Sequence, residues 1–426
     1  MLRQAGATLI TNTIDAPLGF ERIRGAAFQQ EEQFIGGFSG ITVRSVFQPI
    51  YSLVHARIIG AEGLMRCTSQ SGKAISALDM LNQKCRNEAD SVLLDRLCRY
   101  LHVKNAIPVL PEPCWLFLNV SPRIVIAGKN YGAFFKELLQ DSGLPPHRIV
   151  VEVLEDATND EDQLHSAVDY FRDLGCVIAI DDFGVGHSNF NRVWEISPDI
   201  VKLDRSLVAR SSIDNRIART LPNLVDLLHE SGCHVLMEGI ETEKEAVAAV
   251  SAGVDMVQGY YFAKPSASLQ AELPIAERIN SGHTEYIFTT RDAACTLAYT
   301  LKPFIEIFHQ TLADQALFFD DAIKQLLTLP YVLRCYTLDE NGKQIGTSSL
   351  PGDTYQPDAR FAVLANGEGA DWSTRKYFRT AINGVGVVQI SEEYFSIPDG
   401  SMCITLSLAR QIGNQLQVLC CDLKWQ

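Results

Sequence analysis

The sequence predicts an α/β protein: a closed, irregular β/α barrel of eight strands with one strand antiparallel, followed by a smaller α+β domain. Three observations carry that expectation. Short apolar runs alternate with stretches of helical spacing from Ser45 to Val257. The span, about 210 residues, approaches the ~250 that such barrels usually need. Polar side chains recur near the end of one run after another, as they do where strand ends converge on a barrel mouth.

Taken in order, Ser45 to Leu53 and Ile58 to Met65 are apolar runs separated by a few residues. That gap is too short for a helix, so the pair reads as a hairpin and an early strand should run against the others. Leu78 to Leu101 has helical spacing, Trp115 to Val120 is a strand and Tyr131 to Leu139 a helix. Ile149 to Leu154 and Val177 to Ile180 are strands flanking a helix from Glu161 to Leu174, and a short helical segment lies around Val193. Ile200 to Leu203, His234 to Met237 and Met256 to Val257 complete the strands, with helices from Ile213 to Glu230 and from Glu243 to Val250 between them. Residues 1–40, rich in Gly, Ala and Gln, read as a loosely held lead-in, and 41–280 as the barrel.

After Pro265 the pattern changes. Leu301 to Leu327 is apolar at helical spacing and reads, within 281–329, as linker helices packed on another surface such as their own copy in a homodimer. Residues 330–426 read as an α+β domain with strands at Tyr331 to Leu338, Gly384 to Ile390, Met402 to Leu408 and Gln415 to Leu423, and a turn at Asp339 to Gly342.

Composition narrows the function. The chain has 426 residues, 46% hydrophobic and 21% charged, as in a globular protein rather than a disordered one. Its net charge of -14 and pI near 5.1 argue against duplex nucleic acid as a partner, while a small anion held by local cations stays open. Eleven cysteines without Cys-x-x-Cys spacing, Cys420 and Cys421 adjacent, suggest a reducing compartment. With no apolar run long enough for a membrane span, the expectation is a cytoplasmic protein.

The candidate site starts at Val177 to Ser188, where an apolar strand delivers Asp181 and Asp182 into a loop containing Gly184 and Gly186. Adjacent buried carboxylates ask for a cation. Glu62, Asn119, Glu152, Lys202, Glu238 and Gln258 stand near the ends of other strands, so a barrel would bring them together. Glu62, Asn119, Glu152, Asp181, Asp182 and Glu238 offer only oxygen, which suits Mg²⁺ or Mn²⁺ better than Zn²⁺. Five carboxylates exceed one dication, so two ions with Asp181 as the bridge are expected, an arrangement that hydrolyses phosphate esters. Lys202 among acids should keep its proton and orient water or stabilise charge, with proton acceptance left open. Asp204, on the same face of its strand, is expected to position Lys202. Arg66 suits a phosphate or a guanine edge, or is an ordinary surface arginine.

These residues, in this order, resemble the EAL-domain family of cyclic di-GMP phosphodiesterases, whose barrel is of the TIM type. The matching pieces are Phe-Gln-Pro-Ile from Phe47, Gly-Ala-Glu-Gly-Leu-Met-Arg from Gly60, Leu-Asn-Val-Ser-Pro from Leu118 and Glu-Val-Leu-Glu from Glu152. Asp-Asp-Phe-Gly-Val-Gly-His-Ser from Asp181, Val-Lys-Leu-Asp from Val201, Met-Glu-Gly-Ile-Glu-Thr from Met237 and Gln-Gly-Tyr-Tyr-Phe from Gln258 complete them. The resemblance implies two Mg²⁺ or Mn²⁺ ions and hydrolysis of cyclic di-GMP to linear pGpG, with Glu62, Lys202 and Glu238 catalytic. It further implies that Glu155 braces the loop after Asp182 and that Gln48, Arg66, Asp204 and Gln258 lie near the substrate.

Two departures stand out. Gly63 replaces the alanine of the signature triplet, and Val185, His187 and Asn189 replace usual loop residues, Val185 for a threonine. Since the matched ligands remain, an active enzyme is favoured, the alternatives being a catalytically degenerate receptor for the dinucleotide or a signalling scaffold. No Gly-Gly-Asp-Glu-Phe-like run is present. Asp371 to Phe378 resembles a segment of Cache or PAS-like sensor domains, which implies a small regulatory ligand and a carboxylate for Arg375; Trp372, Tyr377 and Phe378 as plain core is the competing reading.

Overall fold

The structure, a computed structural model, describes residues 18–80, 84–85, 87–128, 134–154, 161–184, 190–269, 297–313, 318–352, 367–396 and 401–425. The chain divides into two compact units, Met1–Thr289 and Thr290–Gln426.

Eight strands close the barrel in the first unit: Ile41–Ser52, Arg57–Ser69, Trp115–Val120, Ile149–Leu154, Val177–Phe183, Ile200–Leu203, His234–Met237 and Met256–Val257. Ile41–Ser52 is antiparallel to both neighbours, Arg57–Ser69 and Met256–Val257, while the other pairings around the ring are parallel. The reversal follows from the connection after Ser52, which turns directly into the next strand with Ala56 in the left-handed region at φ 48. Elsewhere helices make the return, as with Glu243–Ala252, started by a Thr242/Glu245 capping box and ended at Gly253 in the left-handed region.

Side-chain alternation then builds the barrel in layers. Ile50, Phe117, Val150, Ala179, Ile200, Leu236 and Met256 pack together as an apolar plug inside the ring. Two positions further toward the mouth on those same strands stand Gln48, Asn119, Glu152, Asp181, Lys202, Glu238 and Gln258, because side chains repeat on one face every second residue. The intervening residues, among them Leu116, Leu118, Val151, Ile178, Val201 and Val235, face the helices in the outer core.

Several elements differ from the sequence reading. Part of the lead-in is built into the first unit: Phe20–Ala26 is a helix, and Ala27–Gln30 with Gln33–Phe38 extends the sheet beside Ile41–Ser52. Buried Ile23 and Ile35, an apolar signal too sparse to read alone, anchor it. The expected helix from Leu78 is a short helix Ala77–Asp79 and then, with 81–83 and 86 outside the described residues, a long one from Glu88 capped by Asn87; the one from Tyr131 runs over Phe135–Ser142, with 129–133 outside the described residues.

Among the described residues of the second unit, six strands form an antiparallel sheet in the order Gln344–Ser349, Val332–Leu338, Gln415–Lys424, Ser401–Ile412, Gln389–Ile390, with Tyr394–Ser396 also on Ser401–Ile412. The helix-spaced stretch Leu301 to Leu327 falls in this unit, while 281–296 lies outside the described residues. A helix over 297–313 and another at Phe319–Leu326 bury Leu301, Phe304, Phe308 and Ile323 against Leu406, Leu408, Leu419 and Cys421. Their apolar face is thus covered by the chain's own sheet. Tyr377 and Phe378, on the helix Lys376–Asn383, join the core of a second cluster with Tyr336 and Val418, which the plain-core reading expected. Gly384 ends that helix, so the strand read from Gly384 shrinks to Gln389–Ile390.

Candidate active site

Lys202 is the centre of the polar layer. Its side chain is 1% exposed, and its Nζ lies 2.5 Å from Glu152 Oε1, 2.5 Å from Glu238 Oε1 and 2.9 Å from Asp181 Oδ1. Burial alone would strip its proton, but Asp181, Glu152, Glu238 and Glu62 outweigh it and hold the ammonium well above the usual lysine range. The acids show the opposite balance. Burial, opposed by Lys202 and reinforced by the neighbouring carboxylates, raises Glu152 well above the usual carboxylate range and pushes Glu238 up to about 8. One ammonium among four carboxylates leaves the layer short of positive charge.

Glu62 completes it from the neighbouring strand. Asn119 Nδ2 donates to its Oε1 at 2.7 Å and Gln258 Nε2 to its Oε2 at 2.9 Å, fixing the carboxylate from two strands. Its strand continues to Ser69, so Glu62 stands in mid-strand and not near an end as expected. Gln48, paired with Glu62 across the antiparallel ladder, donates to the Ala263 carbonyl at 3.4 Å.

The Asp181–Asp182 pair sits on an irregularity. Ile180 pairs with Val201 and Phe183 with Leu203, so two residues on one strand face Lys202 alone on the other. This bulge puts Asp182 at φ 58, in the left-handed region, with its backbone N–H donating to Asp181 Oδ1 at 3.0 Å. Backbone strain of this kind concentrates at functional sites; here Asp181 is buried against Lys202 while Asp182 is exposed.

Not every expected residue joins the cluster. Asp204 lies just past the end of its strand and caps the helix Arg205–Ser211, accepting from the Ser206 N–H at 2.8 Å; the three carboxylates, not Asp204, position Lys202. Arg66 is exposed and donates to the Met65 carbonyl at 2.9 Å. Glu155, Val185, His187 and Asn189 lie outside the described residues. Sequence reasoning missed Arg205, Glu241 and Tyr260, which line a 210 Å³ pocket with Gln48, Glu62, Glu238 and Gln258. Glu241 and Tyr260 fall inside the matched pieces from Met237 and Gln258, and Arg205 directly follows Asp204; that position was their only signal.

The residues fit a hard divalent cation. Among the described residues no three acidic, histidine or cysteine side chains are spaced as ligands of one ion, because the Lys202 ammonium and the two amides stand between the carboxylates. Yet Glu152 Oε2 and Gln258 Oε1 are buried without a hydrogen-bond donor, and a buried carboxylate oxygen of that kind calls for a proton or a cation. All the available donors are oxygens, the preference of Mg²⁺, Mn²⁺ and Ca²⁺.

The fold and the site together define a β/α barrel with an acidic, hard-cation mouth. Residues 36–265 match the EAL domain, and the chain belongs to that family. It is 25% identical over 381 residues to the uncharacterized EAL-domain containing protein YkuI of Bacillus subtilis, covering 85% of this chain and 90% of YkuI. It is 26% identical over 234 residues to the cyclic di-GMP phosphodiesterase RocR of Pseudomonas aeruginosa, covering 54% of this chain and 59% of RocR. The crystal structure of YkuI in complex with substrate c-di-GMP and calcium shares the fold with a TM-score of 0.75 at 24% identity, over 90% of this chain and 96% of that one. Among the described residues no helix is long and apolar enough to cross a membrane.

Proposed function

We propose that this chain is a metal-dependent phosphodiesterase that hydrolyses cyclic di-GMP to linear pGpG. The observation that carries the reading is the buried Lys202 ammonium at 2.5 to 2.9 Å from three carboxylates, in an EAL barrel similar over 234 residues to RocR, a cyclic di-GMP phosphodiesterase by its name. Glu62, Asn119, Glu152, Asp181, Asp182 and Glu238 would hold two Mg²⁺ or Mn²⁺ ions, which supply charge neutralisation at the phosphate and a lowered pKa for water.

The chain's own groups do the rest. Lys202, kept protonated by its neighbours, donates hydrogen bonds that orient the attacking water and stabilise negative charge on phosphate oxygens. A raised pKa makes it a poor proton acceptor in this state. Burial pushes Glu238 up to about 8, and a dication bound there would displace that proton and keep the carboxylate charged. Gln48, Arg66, Arg205 and Tyr260 are assigned to the nucleotide, Arg205 and Arg66 through the fork that suits phosphate or a guanine edge.

The same reading makes the second unit a sensor of a small ligand that regulates the barrel, with Arg375, stacked over the Trp372 ring at 5.9 Å, as a partner for a carboxylate. It also takes the protein to be a cytoplasmic homodimer; the free cysteines of the described residues agree with a reducing compartment. The test is incubation of purified protein with cyclic di-GMP and Mg²⁺, following pGpG by chromatography. Product that disappears in Glu62→Ala supports the enzyme; tight binding without product makes the chain a receptor and refutes it.

A further inference from the structure

We propose that the end of the barrel opposite the acidic mouth carries a second ligand site, for a planar aromatic molecule bearing one anionic group. A cavity of about 510 Å³ opens there, larger than the pocket beside Glu62 and within the ~300 to 1,000 Å³ usual for small-molecule sites. It exists because of the reversed strand. Ile41–Ser52 ends at this base, and the chain turns through Val54 and His55 straight into Arg57–Ser69, with no helix between the two strands. The far wall is the segment that enters Trp115–Val120.

Chemistry of the lining selects the ligand. Ile58, Ile59, Trp115 and Met256 form an apolar wall that includes one indole. Arg57 is exposed on the rim and has no ion pair among the described residues, and His55 uses Nδ1 on Ser52 Oγ at 2.9 Å, leaving Nε2. The two acids on the rim are already engaged. Asp255 accepts from Val235 N–H at 2.7 Å and pairs with His229 at 2.8 Å and His234 at 3.6 Å, while Glu112 pairs with Arg148 at 3.2 Å. An unmatched guanidinium beside an apolar aromatic wall calls for a flat ring with a carboxylate, sulfonate or phosphate at one edge.

The probe is 1-anilinonaphthalene-8-sulfonate, titrated by its fluorescence into the intact chain, with the uncharged N-phenyl-1-naphthylamine as its partner. The expected result is saturable sulfonate binding, at least tenfold tighter than that of the neutral dye. Arg57→Glu should weaken the sulfonate at least tenfold and abolish the preference, with the thermal melt unchanged, while Arg57→Lys stays within about threefold. Equal binding of the two dyes, an unaltered sulfonate affinity in Arg57→Glu, or no saturable binding would each overturn the proposal. Where Arg57→Glu folds poorly, Arg57→Gln is read instead, with the same loss of the sulfonate preference expected.

Discussion

Gly63 gives the sharpest test of the packing beneath the site. A Cβ at this position would stand 2.9 Å from His102 Cγ and 3.0 Å from His102 Cβ. Those atoms are the root of a buried side chain whose Nδ1 shares a hydrogen bond with Ser45 Oγ at 2.9 Å, so the ring cannot swing away without losing that bond. Overpacking of this kind costs about 1–3 kcal/mol, and the backbone entropy gained by Gly→Ala returns about 0.4–1. Gly63→Ala should therefore destabilise the strand Arg57–Ser69 by about 1–2 kcal/mol and, by shifting the adjacent Glu62, lower turnover. Native-state hydrogen exchange of that strand's amides reads the change without interference from the second unit. In the double variant with His102→Ala the two costs should fall short of additive by at least about 1 kcal/mol. A stabilised strand in Gly63→Ala, or strict additivity, would refute the steric argument.

Two further predictions follow from the same geometry. Burial pushes His102 down to about 4, so between that value and the unfolded ~6.5 the unfolded chain binds the extra proton and stability rises with pH; about 3 kcal/mol should be lost on acidifying through this window. His102→Gln should flatten that portion of the stability–pH profile measured by urea unfolding, and an unchanged slope would contradict the assignment. Lys202→Met removes the ammonium from Glu152, Asp181 and Glu238 and should lower pGpG formation at least ~100-fold; retention of a tenth of the activity would refute its role.

Much of the barrel was legible because its strands are short apolar runs with a polar residue two positions past each plug residue, a period-two signal that survives without coordinates. The reversed first strand was legible from the short gap between Leu53 and Ile58. What stayed hidden depends on partners distant in sequence. Gly63 reads as a simple departure from an alanine until His102, on a separate helix, is seen to fill the space. Asp204 obeys the same-face rule but lies past its strand's last residue, where the pull of a helix start on its carboxylate prevails. The helix over 297–313 resembles a free linker because its cover, Leu406, Leu408 and Leu419, comes about a hundred residues later, a separation that periodicity cannot span.

The central claim is that the carboxylates around Lys202 take up paired divalent ions. Crystals grown with Mn²⁺ and cyclic di-GMP, measured at the manganese absorption edge, test it directly. The account predicts two anomalous peaks about 3.5–4 Å apart among Glu62, Asn119, Glu152, Asp181, Asp182 and Glu238. A nucleotide-bound crystal with no manganese signal at these side chains would contradict it.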